Sequence, residues 1–188
     1  MRNTLPGTTF PLPEAIPEEP FSLLHPIFTV SGGGLLLSQI TELTGLGATT
    51  VQNWVKRGWV SNPVNKKYSK IQVARILLIN LLRPAMQLEK INTLLAYING
   101  SVDDRSDDII PDDRLYSLLC RAILEMERSR TLDADTLSAQ TERLLEGYVE
   151  PVPGAKIRLQ RAVTLMLLNI AAAELMQTAN TIYDQITA

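Results

Sequence analysis

The sequence predicts an all-α protein, with a winged helix-turn-helix domain (a possible small β wing included) followed by a helical bundle. Three observations carry that reading. Aromatics make up only 5% of the 188 residues, while Leu, Ile and Ala dominate, a composition that suits helices better than a β-sandwich. Apolar residues recur at i, i+3 and i+4 over most of the chain. Gly and Pro fall between those runs, where helices stop and start.

Residues 1–34 hold Pro6, Pro11, Pro13, Pro17, Pro20 and Pro26 and close on "SGGG". Proline lacks an amide donor and resists a helix interior, so an extended arm is expected, with at most a turn of helix near 21–25 and a flexible hinge at the glycines. A domain is expected over 35–99. Its first helix runs from Leu35 to about Thr44, capped by Ser38 and stopped by Gly45, with Ile40 and Leu43 on one face. A second helix covers 48–57, where Val51, Trp54 and Val55 share a face and Gly58 ends it. Trp54 and Trp59 are expected as packing residues. Asn62-Pro63 marks a turn in an extended segment. Ser69 and Gln72 form a capping box for a nearly all-apolar helix over 70–82. Pro84 breaks it before another helix over about 87–98.

Residues 100–113, "GSVDDRSDDIIPDD", read as an acidic linker. From 114 to 188 a helical bundle domain is expected. Leu115, Leu118, Leu119, Ala122, Ile123 and Met126 form one stripe, and Leu137, Leu144, Leu145 and Tyr148 a second. A long helix over about 155–186 would span roughly 48 Å at ~1.5 Å per residue. That helix is apolar on two sides. Leu159, Val163, Met166, Ile170 and Ala173 suit its own bundle; Leu165, Leu168, Ala172, Leu175 and Ile182 suit either the same core or a homodimer through the C-terminal helices.

The formal net charge of −2 hides a segregation. No acid occurs between Glu42 and Glu89, a span that carries Lys56, Arg57, Lys66, Lys67, Lys70, Arg75 and Arg83. The remainder of the chain is correspondingly acidic. Segregation of this kind bears on partners more than on fold.

The basic span coincides with two short helices joined by a Gly-containing turn, the helix-turn-helix pattern. In such a unit the second helix offers its outward side chains to base edges in the major groove. With Val51, Trp54 and Val55 turned inward, Thr49, Thr50, Gln52, Asn53, Lys56 and Arg57 face out. Gln and Asn suit an adenine edge, Thr a thymine methyl or a phosphate, and Lys and Arg a phosphate or guanine. Lys66, Lys67 and Tyr68 would grip the backbone from the wing, with Lys70 beside the next helix's first amides. The partner expected is double-stranded DNA. The alternative is a non-enzymatic protein-interaction module that turns the same basic face on an acidic protein.

These residues also carry a resemblance. A helix ending in "LTG", a recognition helix ending in "RG", a Pro-containing wing, "YS" before a helix reading "ARI", and "LEKI" opening the last helix resemble the DNA-binding domain of the MerR family over about 36–96. More closely, "NWVKRGWVSNPVNKKYSK" with "LLAYING" and "DDRSDDII" resembles an uncharacterised bacterial domain-of-unknown-function family over roughly 28–130. The first resemblance implies a winged helix that binds DNA and a role in transcription regulation. The chain departs from MerR proteins in having Gln52 where they usually carry Arg, Trp54 where they carry Tyr, and a shorter wing. MerR proteins continue into a long dimerisation helix and an effector site, where this chain has an acidic linker and several helices, so metal or drug sensing is not implied.

No catalytic constellation is found, and an enzyme is not expected. His25 stands alone in the sequence, so neither a His-based metal site nor a His-dependent triad can be built. The acidic linker lacks a calcium-loop frame. "SGGG" lacks the Lys and Ser or Thr of a phosphate loop. No metal or cofactor is predicted. Cys120 is the sole cysteine, which excludes an internal disulfide and fits a reducing compartment. The most apolar run, 162–173, is short and carries Thr164 and Asn169, so a core helix is expected and not a membrane span. With no basic-then-apolar leader, a cytoplasmic location is the expectation.

Overall fold

A computed structural model describes residues 3–130 and 132–187; residues 1, 2, 131 and 188 fall outside it. The chain is mostly helical, with one two-stranded sheet among the described residues. A 3-10 helix, Pro20–Leu24, leads into α1, His25–Val30. Strand β1, Leu35–Leu36, precedes α2, Leu37–Thr44, and α3, Ala48–Lys56. Strand β2, Lys67–Tyr68, precedes α4, Lys70–Leu82, which is followed by α5, Leu88–Asn99. Beyond the acidic segment come α6, Asp112–Ser129, α7, Ala134–Leu144, and α8, Ala155–Thr187.

Helix α4 is the centre of the molecule because its apolar residues face every direction. From Gln72 to Leu82 each residue is buried. It packs on α2, β2 and α5 on one side of the connector, and on α6 and α8 beyond it. The segment 100–113 therefore joins helices that share one core. Its start is capped as the sequence suggests. The Ser69 amide donates to Gln72 Oε1 (2.8 Å) and the Gln72 amide to Ser69 Oγ (3.4 Å).

The N-terminal arm differs from the extended segment expected. Pro20 and Pro26 stand at the first turns of their helices, where a missing amide costs no intrahelical bond, so helical structure runs from Pro20 to Val30. Leu5, Phe21, Leu24 and Phe28 are buried in the common core. Side chains from later helices hold the arm: Tyr116 donates to the Pro6 carbonyl (2.6 Å), Asn80 to the Gly7 carbonyl (2.8 Å), and the Phe21 amide donates to Ser117 Oγ (3.2 Å).

The start of the helix-turn-helix region is also corrected. Leu35 and Leu36 are strand, paired antiparallel with Tyr68 and Lys67. Ser38 is not the cap, because the helix begins one residue earlier. Gln39 Oε1 reaches back to accept from the Leu36 amide (2.8 Å). The "SGGG" glycines are not a free hinge. A side chain at Gly34 would come within 3.0 Å of Lys67 Cβ and 3.1 Å of the Tyr68 carbonyl, so glycine lets the loop lie against β2.

Helix α8 divides along its length. Leu159, Val163, Met166 and Ile170 are buried against the bundle, Ala173 is half-buried, and every described residue from Leu175 onward is exposed. It is long and apolar enough to cross a membrane, with 33% of its most apolar window buried in protein.

Candidate nucleic-acid interface

The α2–turn–α3 unit is built by small local devices. Gly45 adopts the left-handed conformation at φ 69° and its amide closes α2 on the Thr41 carbonyl. The Thr44 hydroxyl donates to the Ile40 carbonyl (2.6 Å) and accepts from the Leu46 amide (3.2 Å), which fixes the turn. Val51 and Trp54 are then buried, with Val55 packed at the core's margin. This leaves Thr49, Gln52, Asn53, Lys56 and Arg57 exposed and Thr50 half-buried. No side chain caps α3, whose N-cap is Gly47.

Arg57 is exposed but already engaged. Its guanidinium lies 3.2 Å from Glu89 and 5.0 Å from the Trp59 ring centroid. Glu89, the acid that closes the basic span, thus offsets one of its charges. An exposed pair of this kind contributes little stability, so Arg57 can exchange Glu89 for another anion at small cost.

The segment after α3 forms a tight hairpin. Val64 and Lys67 exchange backbone bonds (3.0 and 2.9 Å), and Asn65 and Lys66 between them have φ 51° and 62°. Two consecutive left-handed residues define the turn type that suits the twist of a hairpin. Lys66 therefore sits exposed at a tip. Lys67 points elsewhere: its Nζ donates to the Ser31 carbonyl (2.6 Å), tying the glycine loop to β2. Tyr68 is buried at 4% exposure, and burial raises its phenol pKa. It is a core residue and is not presented with the lysines. Lys70 is half-buried, its Nζ 6.0 Å from the Phe28 ring.

Two residues outside the predicted set hold the hairpin and the segment after α3 in place. Gln72 donates to the carbonyls of Ser61 (2.9 Å) and Asn62 (2.8 Å) and to the Ser61 hydroxyl (3.1 Å). Arg75, 4% exposed, donates to the Trp59 carbonyl (3.3 Å) and to Asp112 (3.4 Å). Asn99 adds a bond to Asp112 (3.3 Å) and brackets Ile110 through both its carbonyl (2.6 Å) and its amide (3.3 Å). A capping box hints at Gln72 in the sequence; nothing local signals that a basic residue within "VARILL" will meet an acid 37 positions on.

The acidic connector is consequently seated beside α4. A cavity of about 20 Å³, roughly the room of one water, lies among Gln72, Arg75, Arg105, Asp108 and Asp112. Burial, and then the neighbouring Asp112 charge, push the Asp108 carboxyl up to about 6. Burial also raises Asp112, opposed by the Arg75 charge. A carboxyl with a raised folded-state pKa contributes stability below its unfolded value and loses it as pH rises through the folded one. Asp108→Asn is thus expected to stabilise the protein by about 1 kcal/mol at pH 8, after allowance for partial solvent screening. The gain should fade across pH 6 to 4 and vanish below, as followed by thermal melts at stepped pH. An equal gain at pH 3.5 would sink this account.

Among the described residues, no group of three or more His, Cys, Asp or Glu side chains is placed to hold a metal ion. Cys120 is buried on α6.

The chain is an all-α protein organised around the α2–turn–α3 pair, a tight hairpin and a buried central helix. Residues 33–119 match the family described as "Domain of unknown function (DUF1836)", a span from just before β1 into the first half of α6. The match thereby includes the α2–turn–α3 pair, the hairpin, Gln72 and the Arg75–Asp112 pair. "Uncharacterized protein YkrK" of Bacillus subtilis (strain 168) is similar at 26% identity over 155 residues, covering 77% of this chain and 66% of that protein. The chain thus spans just under two thirds of that relative's length. No solved structure matches.

Proposed function

We propose that the protein binds duplex DNA through a MerR-like winged helix-turn-helix and regulates transcription. The observation that carries the reading is α3. Gln52 and Asn53 stand exposed between the buried anchors Val51 and Trp54, on a helix with no acid and with Lys56 and Arg57 at its end. Polar amide side chains there suit base edges. Thr49 and Thr50 flank them at the helix start. The hairpin tip at Lys66, with Lys70 at the start of α4, would contact phosphates, while Lys67 acts mainly as the tether of the glycine loop.

The reading is tested by titrating labelled random duplex at two salt concentrations. With four or so phosphates neutralised, affinity should fall roughly 100-fold between 50 and 200 mM salt. Absence of salt-sensitive binding at micromolar protein would overturn the proposal, and binding to an acidic protein in its place would favour the interaction-module alternative.

Two variants separate the roles. Glycine is at ease at the φ of 62° that Lys66 adopts, and Asn-Gly is a preferred pair for this turn. Lys66→Gly should therefore keep the fold, weaken binding to all sequences alike and lower the salt slope by about 1. Asn53→Ala should change which sequence is selected from a random pool, by about 1–3 kcal/mol at the affected position. Equal loss on every sequence would remove Asn53 from the reading set.

A further inference from the structure

Beyond Glu174 the last helix leaves the bundle, and its apolar residues form a second stripe on the side opposite the buried one, with the same 4, 3, 4 spacing as Leu159, Val163, Met166 and Ile170. Leu168, Ala172, Leu175, Ala179, Ile182 and Ile186 are spaced 4, 3, 4, 3 and 4, a heptad seam that extends back to Leu165. Leu175, Ile182 and Ile186 are 56, 52 and 78% exposed, and both alanines are exposed. A 3.5-residue repeat of this sort is what a second helix packs against by knobs into holes. Leu168 is half-buried against the bundle, but from Leu175 on the seam is exposed among the described residues, and the buried stripe Leu159, Val163, Met166 and Ile170 lies on another side.

We infer that this seam is the interface with a second copy of the chain, paired antiparallel. Orientation follows from the alternation of small and large residues. Antiparallel pairing sets Ala172 opposite Ile182 of the second copy, Leu175 opposite Ala179, and Leu168 opposite Ile186. Every layer then joins a small side chain to a large one, or two large ones at the ends, so the seam fills without voids. Parallel pairing would stack Ala172 on Ala172 and Ala179 on Ala179 and leave gaps.

Electrostatics agree with a self-complementary contact. The positions flanking the seam are Asn169, Ala171, Met176, Thr178, Tyr183 and Gln185, none charged. Between Ala162 and Thr187 the charged residues are Glu174 and Asp184, which fall on the side away from the seam. Two copies therefore meet no like-charge repulsion, and Met176 and Tyr183, 64 and 65% exposed, widen the apolar band. The overlap from Leu168 to Ile186 runs roughly 27 Å at ~1.5 Å per residue.

Self-association stands apart from DNA binding, so failure of either leaves the other intact. Light scattering after size exclusion should give twice the 20.9 kDa chain mass at micromolar concentration. Leu175→Asp with Ile182→Asp, both on exposed positions, should return the monomer with an unchanged circular dichroism spectrum. In a Cys120→Ala background, mixing Ala172→Cys chains with Ile182→Cys chains should yield mixed disulfide dimers in large excess over either self-pair. Four results would overturn the inference: a monomeric wild type, a dimer indifferent to the double Asp variant, dominant Ile182→Cys self-crosslinks, or a monomer that sediments with phosphatidylglycerol vesicles through α8.

Discussion

Arg75→Met is expected to lower stability by about 3–5 kcal/mol at pH 7, because it strands the Asp112 carboxylate in the interior. For a chain of this size that is a Tm fall of roughly 10 °C. The loss has two parts. Asp112 keeps its bond from Asn99 but loses its cation, and the Trp59 carbonyl loses a donor. The pH dependence identifies the first part. Burial already raises the Asp112 pKa and Arg75 opposes the rise, so removing Arg75 lifts it further. The deficit should then shrink as the solution is acidified and Asp112 protonates. Arg75→Met combined with Asp112→Asn should recover most of the stability at pH 7, since a neutral pair leaves no buried charge. A double variant as unstable as the single one would mean that Arg75 acts by packing its stem, not by pairing.

That pair also explains why the connector joins helices that share a core. "DDRSDDII" reads as solvated because its charges are dense and no local partner is in view. Asp103, Asp104 and Asp107 are indeed exposed, yet Ile109 and Ile110 are buried and Asp112 is drawn inward by Arg75. A contact between positions 75 and 112 leaves no periodic trace, so hydrophobic patterning alone could not reveal it. The helices themselves were legible, because their apolar spacing and Gly or Pro stops are local signals. The arm is hard to read for the opposite reason. Its prolines argue against helix interiors, but Pro20 and Pro26 occupy first turns, where the same residue is tolerated.

The candidate site divides along similar lines. Exposure of Gln52, Asn53 and Lys56 follows from the spacing of Val51 and Trp54, so the outward face of α3 could be read from 3.6-residue periodicity. Lys66, Lys67 and Tyr68 could not be sorted that way, because a strand and a turn of so few residues have too little pattern. The two-residue turn sends Lys66 to the tip, and pairing with Leu35 and Leu36 sends Tyr68 into the core. The partners that settle the fates of Lys67 and Tyr68 lie some thirty residues upstream, in the glycine loop and β1.

Gln72→Leu is expected to detach the hairpin from α4 and, with it, the phosphate contact proposed for Lys66. The side chain accepts from the Ser69 amide and donates to two carbonyls, so leucine leaves three backbone groups without their partner. Each partly buried orphan costs on the order of 1 kcal/mol, and the Ser69 cap loses its reciprocal half, giving about 2–4 kcal/mol in all. Gln72 is a positioning residue: buried at 7% exposure, it would act on DNA only through the hairpin it holds. Its signature is therefore selective. Hydrogen exchange should quicken at Lys67 and Ser69 well before the amides of α6 are affected. DNA affinity should fall about as far as in Lys66→Gly, and adding Lys66→Gly to Gln72→Leu should cost little more, because both remove the same contact. Gln72→Glu supplies the control. It keeps the acceptor for Ser69 but cannot donate to Ser61 and Asn62, so the helix cap should survive while the hairpin loosens. If Gln72→Leu and Lys66→Gly instead weaken DNA binding additively, the hairpin is not the element through which Gln72 acts.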